Sequence, residues 1–317
     1  MKSKDLKKKE IRVFAPATVA NVGCGFDIFG FALHEPGDEI ILKVSENKGL
    51  QITKITGDEG RLPTQANKNT AGQSLLAMMN ELKFESGLEM EVHKKMAIGS
   101  GLGSSAASAV ASVFAFNAML ERPLSKTELL KYAIEGEKIA SGESVHLDNI
   151  AACLYGGFIL VRSRNPIDIV ALPVPDNLFC TVIHPQIEIR TESSRKILRK
   201  QIPLEKAVTQ WGNVAGTISA LYQEDFELLK RSFNDVIVVP DRSQLIPYYQ
   251  DLQQVAMDSD AIGCSISGSG PSIFALSSDS ETARKIGSNM SAVLTDVKIG
   301  HDIYISKINT QGPKVIE

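Results

Sequence analysis

The sequence predicts an α+β protein of two domains, and three observations lead there. At the usual ~150 residues per domain, the 317 residues correspond to about two units. Strand-like and helix-like segments intermix without the regular strand–helix–strand cadence of a doubly wound sheet. Residues 173–177 (PVPDN) then interrupt the pattern with two prolines, dividing the chain into residues 11–173 and 174–317. A surface turn inside a single domain is the alternative reading of that stretch.

Runs rich in Ile, Val and Phe, several of them alternating, predict strands at 11–15, 39–44, 50–55, 88–93, 158–162, 167–172, 178–184, 262–267, 272–276 and 302–308. Helical periodicity predicts helices at 69–81, 104–120, 125–141, 147–155, 205–222, 225–234, 244–256 and 281–294. The first ten residues hold five lysines and are expected to form a solvated, frayed terminus. They are not followed by the apolar stretch of a secretory signal. Between Lys95 and Glu121 lie 25 uncharged residues, long enough to span a bilayer. Their first half is Gly, Ser and Ala, which gain little on insertion, so a buried helix introduced by a glycine loop is expected.

Composition excludes several classes. Hydrophobic residues at 43% and charged residues at 22% argue against a disordered or low-complexity chain. A net charge of −3 lacks the basic excess of a general nucleic-acid binder. Cys24, Cys153, Cys180 and Cys264 form no C-x-x-C and no disulfide framework, which fits a reducing cytoplasm.

The most informative segment is IGSGLGSSAAS, residues 98–108. Gly99, Gly101 and Gly103 give backbone freedom and close ligand approach. Ser104 and Ser105 then open an Ala-rich helix, whose N-terminus offers unpaired N–H groups and the positive dipole end. A glycine loop feeding a helix start is an anion site suited to phosphate. Neither G-x-x-x-x-G-K-[ST] nor G-x-G-x-x-G is present, and no H-R-D or D-F-G triplet marks a protein kinase.

The helix at 125–141 opens with a capping-box pair, Ser125 and Glu128. Its Leu130, Ile134 and Glu137 recur on one face. Two readings of Glu137 remain open: a buried carboxylate, which needs a partner or a metal, or a helix end turned to solvent. If Ser105 and Glu137 meet at phosphates, one hydroxyl and one carboxylate make a Mg²⁺ site.

Three motifs stand in order: PATVANVGCGFD from Pro16 to Asp27, GSGLGSS from Gly99 to Ser105, and GCSISGSGP from Gly263 to Pro271. Together they resemble the GHMP small-molecule kinases, over about residues 11–308. The first motif and the run His146 to Asn149 narrow the resemblance to the members that phosphorylate homoserine. The resemblance implies an N-terminal α+β domain carrying the phosphate loop, a ferredoxin-like C-terminal domain, and a cleft where ATP-Mg²⁺ and substrate meet. It implies phosphorylation of the side-chain hydroxyl of L-homoserine on the way to threonine, in the cytoplasm, by a homodimer.

The resemblance also implies site residues. ATP would contact Ala97, Ile98, Gly99, Ser100, Gly101, Leu102, Gly103, Ser104, Ser105, Ala106 and Ala107, with Asn69 near the nucleoside. Ser105 and Glu137 would hold the metal. Homoserine is a zwitterion, so Arg195 and Arg242 are the expected carboxylate pair, since Arg binds carboxylate bidentately. Asp27 and Asn21 form the ammonium and hydroxyl side, with His146 assisting, Thr191 hydrogen-bonding and Gly268 alongside. Asn149 stands where other members place a catalytic Asp, and cannot accept a proton as Asp does; it is expected to orient the hydroxyl. Ala97 stands where the loop is usually preceded by Pro. The rivals are a mevalonate-type member of the same family and a non-catalytic relative that binds ATP and ligand.

Overall fold

The computed structural model describes residue 2 and residues 5–142, 144–189 and 191–316, the side chains of 191–193 excepted. In chain order the elements of the first half are β1 (Glu10–Ala20), β2 (Phe29–Ser45), β3 (Gly49–Thr56), α1 (Thr70–Glu81), β4 (Gly87–His93), α2 (Ser104–Met119), α3 (Lys126–Ser141), α4 (Leu147–Tyr155), β5 (Phe158–Arg164) and β6 (Ile167–Leu172). The second half runs β7 (Phe179–Pro185), α5 (Thr191–Lys196), α6 (Leu204–Gln223), α7 (Phe226–Ser232), α8 (Val239–Arg242), α9 (Tyr249–Asp258), β8 (Gly263–Ile266), β9 (Ile273–Ser277), α10 (Ser280–Asp296), β10 (His301–Lys307) and β11 (Lys314–Val315).

The 17-residue β2 organises the first sheet. It pairs antiparallel with β1 along most of its length, while its start pairs with β5 and its end with β4. β3 lies parallel to β4, and β6 forms a hairpin with β5. Helices α1 to α4 pack together and against this sheet, with α2 at the centre, where thirteen of its 16 residues are buried. The uncharged stretch is therefore core, as expected. Among the described residues no helix is long and apolar enough to cross a membrane.

The second sheet is antiparallel throughout, in the order β10-β7-β9-β8. With α9 and α10 it forms the two split β–α–β units of a ferredoxin-like fold. Helices α5 to α8 are inserted between its first strand and α9. An apolar cluster under α9 and α10 includes Leu252, Ile273, Ile286 and Met290. The larger cluster joins the two halves, with Phe31 packing edge-on against Phe274 at 5.9 Å.

Several details differ from the sequence reading. The N-terminal tail is docked rather than frayed from Leu6 onward: Leu6 is buried and bridges to Leu120, and Lys7 N–H donates to Met119 O at 2.9 Å. The helix expected at 244–256 starts only at Tyr249, after α8 and a 3₁₀ turn at Ser243–Leu245. Short α5 and the two-residue β11, which pairs with β1, were too brief for periodicity to mark.

Candidate active site

A cavity of about 380 Å³ lies where the two halves meet. One wall is the glycine loop, with Gly99, Gly101 and Gly103 at φ of +76°, +81° and +68°. The last of these is the N-cap of α2, and the helix start therefore points its free N–H groups toward the cavity mouth of the loop. The loop is braced from behind by the second Gly-Ser-Gly tripeptide. Ser267 Oγ donates to Gly101 O at 2.7 Å, and Ser272 N–H donates to Ser100 O at 3.2 Å. A Cβ at Gly101 would come within 2.5 Å of Ser267 O and 2.8 Å of Gly270 O. Gly99–Gly101 and Gly268–Gly270, both Gly-Ser-Gly, are the facing halves of one joint, and no local pattern links segments so far apart.

A fully buried carboxylate underlies the loop, and sequence reading missed it. Asp38 Oδ1 accepts the N–H groups of Lys95 (2.9 Å) and Met96 (3.3 Å), before the loop, while Oδ2 accepts Ser104 Oγ (2.8 Å), after it. Lys94 is ion-paired with Asp38, donates to Ser104 O at 2.8 Å and Ser108 Oγ at 2.6 Å, and lines the cavity. The neighbouring Lys95 pairs with Glu39 and is half exposed.

Glu137 faces inward and is 1% exposed, which decides between its two readings. Its Oε1 accepts Ser105 Oγ at 3.0 Å and lies 3.2 Å from His146 Nδ1. Its Oε2 is buried with no hydrogen-bond partner among the described residues. A buried carboxylate oxygen left without a donor, beside a hydroxyl and a phosphate-type loop, fits a hard divalent cation. Among the described residues no three His, Cys, Asp or Glu gather as a metal cluster.

On the opposite side, Thr18 Oγ1 donates to Asn149 Oδ1 at 2.7 Å. That fixes the amide and leaves its NH₂ as the group available to the cavity, which Asn149 lines. Asn21 and Asp27 both adopt left-handed backbone, and Asn21 Oδ1 accepts the Asp27 N–H at 2.8 Å. Arg195 Nη2 pairs with Asp27 Oδ1 at 3.1 Å. Arg242 is 4% exposed and donates to the carbonyls of Gly268 (2.8 Å) and Ser194 (3.3 Å). Burial and the neighbouring Arg195 charge pull its guanidinium down to about 10. Asp27 pairs with Arg195, with Arg164 also 3.8 Å away, and Arg195 Nε is a further buried donor without a partner among the described residues.

The cavity wall collects Asn21, Asn69, Ile98, Gly99, Ser100, Gly101, Gly103, Ser104, Ser105, Glu137, His146, Asn149, Arg195, Arg242 and Gly268 from the expected set. Asn69 also caps α1 through Ala71 and Gly72 N–H. Asp27 stands behind the wall on Arg195. Leu102, Ala106 and Ala107 turn their side chains into the core and Ala97 is exposed, so none of the four lines the cavity. The side chain of Thr191 lies outside the described residues. Besides Asp38, Lys94 and Thr18, the sequence reading missed the apolar patch of Leu62, Pro63, Val92 and Ile139; single residues of ordinary type in separate segments carry no sequence signal.

Comparisons with known proteins agree with this architecture. The family model "GHMP kinases N terminal domain" matches residues 69–157, and "GHMP kinases C terminal" matches residues 217–296. A homoserine kinase of Chlorobium phaeobacteroides (strain BS1) is 47% identical, over 97% of this chain and 100% of its own length. That of Chlorobaculum tepidum is 42% identical, over 97% and 98%. The crystal structure of a homoserine kinase from Cytophaga hutchinsonii superposes with a TM-score of 0.96 at 55% identity, covering 98% of both chains. A mevalonate kinase of L. major, crystallised with R-mevalonate, shares the fold at a TM-score of 0.72 and 18% identity, over 96% and 97%. The chain belongs to the GHMP kinases, within the homoserine kinase family.

Proposed function

We propose that the protein transfers the terminal phosphoryl group of ATP to the side-chain hydroxyl of L-homoserine, giving O-phospho-L-homoserine and ADP. The observation that carries the choice of substrate is the charge pattern beside Asn149. Two guanidiniums, Arg195 and Arg242, stand together over the Phe26 ring, and Asp27 lies beside them, paired with Arg195 at 3.1 Å. A zwitterionic amino acid answers that pattern: its carboxylate meets the arginines and its ammonium meets Asp27 and the Asn21 side. Mevalonate supplies a carboxylate for the arginines but no ammonium for the Asp27 and Asn21 side.

Phosphoryl transfer is mostly positioning and charge stabilisation. The N–H groups of the glycine loop and of the first turn of α2 bind the phosphates, and Asp38 and Lys94 hold the loop's two ends in register. Ser105 and Glu137 are the groups that would hold Mg²⁺, which when bound neutralises phosphate charge. Asn149, its carbonyl oxygen occupied by Thr18, donates from its NH₂ to the substrate hydroxyl and orients it for in-line attack. The hydroxyl proton leaves late, to phosphate or water, because Asn149 takes none.

We place the domain division at residues 173–177 and the protein in the cytoplasm. We also read it as a homodimer; exposed Leu204, Val208 and Trp211 share one face of α6 and supply apolar surface for such contact. Sedimentation equilibrium showing only monomer at micromolar concentration contradicts the dimer. The activity is tested by ADP release with homoserine, mevalonate, galactose and shikimate. Homoserine should exceed the others at least a hundredfold in kcat/KM; preference for mevalonate overturns the assignment.

A further inference from the structure

Phe26 belongs to the loop that carries Asn21 and Asp27, and it differs from its aromatic neighbours. Phe29 and Phe31 are fully buried in the core, whereas Phe26 is half-buried beneath the two arginines. The Arg242 guanidinium carbon lies 4.9 Å from the centre of its ring, and that of Arg195 lies at 6.0 Å. Both are within reach of a cation–π attraction. The loop and Arg242 are tied to one another through a single atom: Gly268 O accepts Asn21 Nδ2 at 2.8 Å and Arg242 Nη1 at 2.8 Å. The ring is therefore held in place relative to the cation above it.

We propose that Phe26 is a positioning residue for substrate-carboxylate recognition, its ring face holding Arg242 and Arg195 side by side without occupying any of their N–H donors. The physics favours an aromatic ring here. Two neighbouring guanidiniums repel, and burial of Arg242 adds a desolvation cost. A second carboxylate would neutralise them but would also occupy the donors that the substrate needs. A ring face attracts the cation perpendicular to its plane and takes up none of the N–H groups that the backbone carbonyls and Asp27 leave over. A leucine of similar bulk fills the space without that attraction, and the cost of ordering both arginines then falls on substrate binding.

This rests on the reading that homoserine is the substrate. The test is steady-state kinetics of the full-length enzyme and its F26L and F26Y variants, with homoserine and with 3-aminopropan-1-ol, which is homoserine without its carboxylate. F26L should raise the homoserine KM roughly tenfold, while kcat and the ATP KM stay within twofold. F26Y, which keeps a ring face, should return the homoserine KM to near the wild-type value. The kcat/KM for 3-aminopropan-1-ol should be the same in wild type and F26L. The proposal is overturned by an unchanged homoserine KM in F26L, by an ATP KM that rises in step, or by an equal loss with the amino alcohol. Absence of homoserine turnover in the wild type overturns the functional reading and this proposal with it. Turnover by the wild type with an unmoved F26L overturns only the role of Phe26.

Discussion

Ser105 Oγ donates a 3.0 Å hydrogen bond to Glu137 Oε1, joining the first turn of α2 to the last turns of α3, and the other carboxylate oxygen is left buried with no donor among the described residues. A carboxylate held this way has one oxygen fixed in direction and one in reserve. Glu137→Gln removes the charge and keeps the shape. It should lower kcat at least a hundredfold and raise the Mg²⁺ concentration needed for half-maximal rate, with little change in Tm. A magnesium titration of the variant checks this; an unmoved midpoint removes Glu137 from the metal.

Asn149 and Thr18 should act as a unit. Asn149→Ala is expected to reduce kcat more than it alters either KM. Thr18→Val removes the 2.7 Å bond that fixes the amide and should cost a smaller fraction of the same rate. Because Val only frees the amide to flip, Thr18→Val in an Asn149→Ala background should add almost nothing. Kinetics of the two single variants and the double variant form the cycle, and additive losses contradict the coupling.

Arg242→Ala should raise the homoserine KM by more than tenfold and leave the ATP KM within twofold, since the side chain lies on the substrate side of the cavity. Arg242→Lys should not rescue it, because an ammonium cannot hold the Gly268 carbonyl and grip a carboxylate bidentately together.

Two glycines of the loop separate backbone freedom from close approach. At Gly99, φ is +76° and the nearest atom to an added Cβ is 3.9 Å away. Gly99→Ala should therefore cost only the left-handed backbone penalty, about 1 kcal/mol. At Gly103 the added Cβ would overlap Thr18 Oγ1 and come within 2.7 Å of Asn149 Oδ1. Gly103→Ala should abolish measurable turnover, and thermal melts of both variants beside their rates check the contrast.

Asp148 gives a pH dependence with a definite sign. Complete burial, with the Asp27 charge adding to it, pushes its carboxyl up to about 6 from an ordinary value of 3.8. Between those values the folded protein binds the proton that the unfolded chain releases, so this residue's contribution is fully present below pH 3.8 and is lost as pH rises through 6. Asp148→Asn should then raise Tm at pH 7.5 and lose that advantage near pH 4, measured by calorimetry at the two values. A variant less stable at both contradicts it.

Much of the site was legible in the chain, for physical reasons that differ residue by residue. The loop could be read because its left-handed backbone demands glycine at three spaced positions just before a helix start. Glu137 could be placed because helical periodicity put it in line with Leu130 and Ile134, though its burial could not be read. Asp38 and Thr18 could not be found, since one polar residue inside a strand looks the same whether it braces a loop or faces water. The first half of β2 was hidden by Pro36 and Gly37, which ordinarily end strands, yet residues on both sides of them pair with β1. The pairing of Arg195 with Asp27 joins positions 168 residues apart, and no local pattern reaches that far.

The central claim is that the charge pattern beside Asn149 selects an amino-acid alcohol for phosphorylation. The direct measurement is phosphorus NMR of the product formed from ATP and an equimolar mixture of homoserine and mevalonate. The account predicts a single new phosphomonoester resonance, that of O-phosphohomoserine, and its disappearance in the Arg242→Ala, Asp27→Ala double variant. A phosphomevalonate resonance as the main product, or an unchanged homoserine product in the double variant, contradicts it.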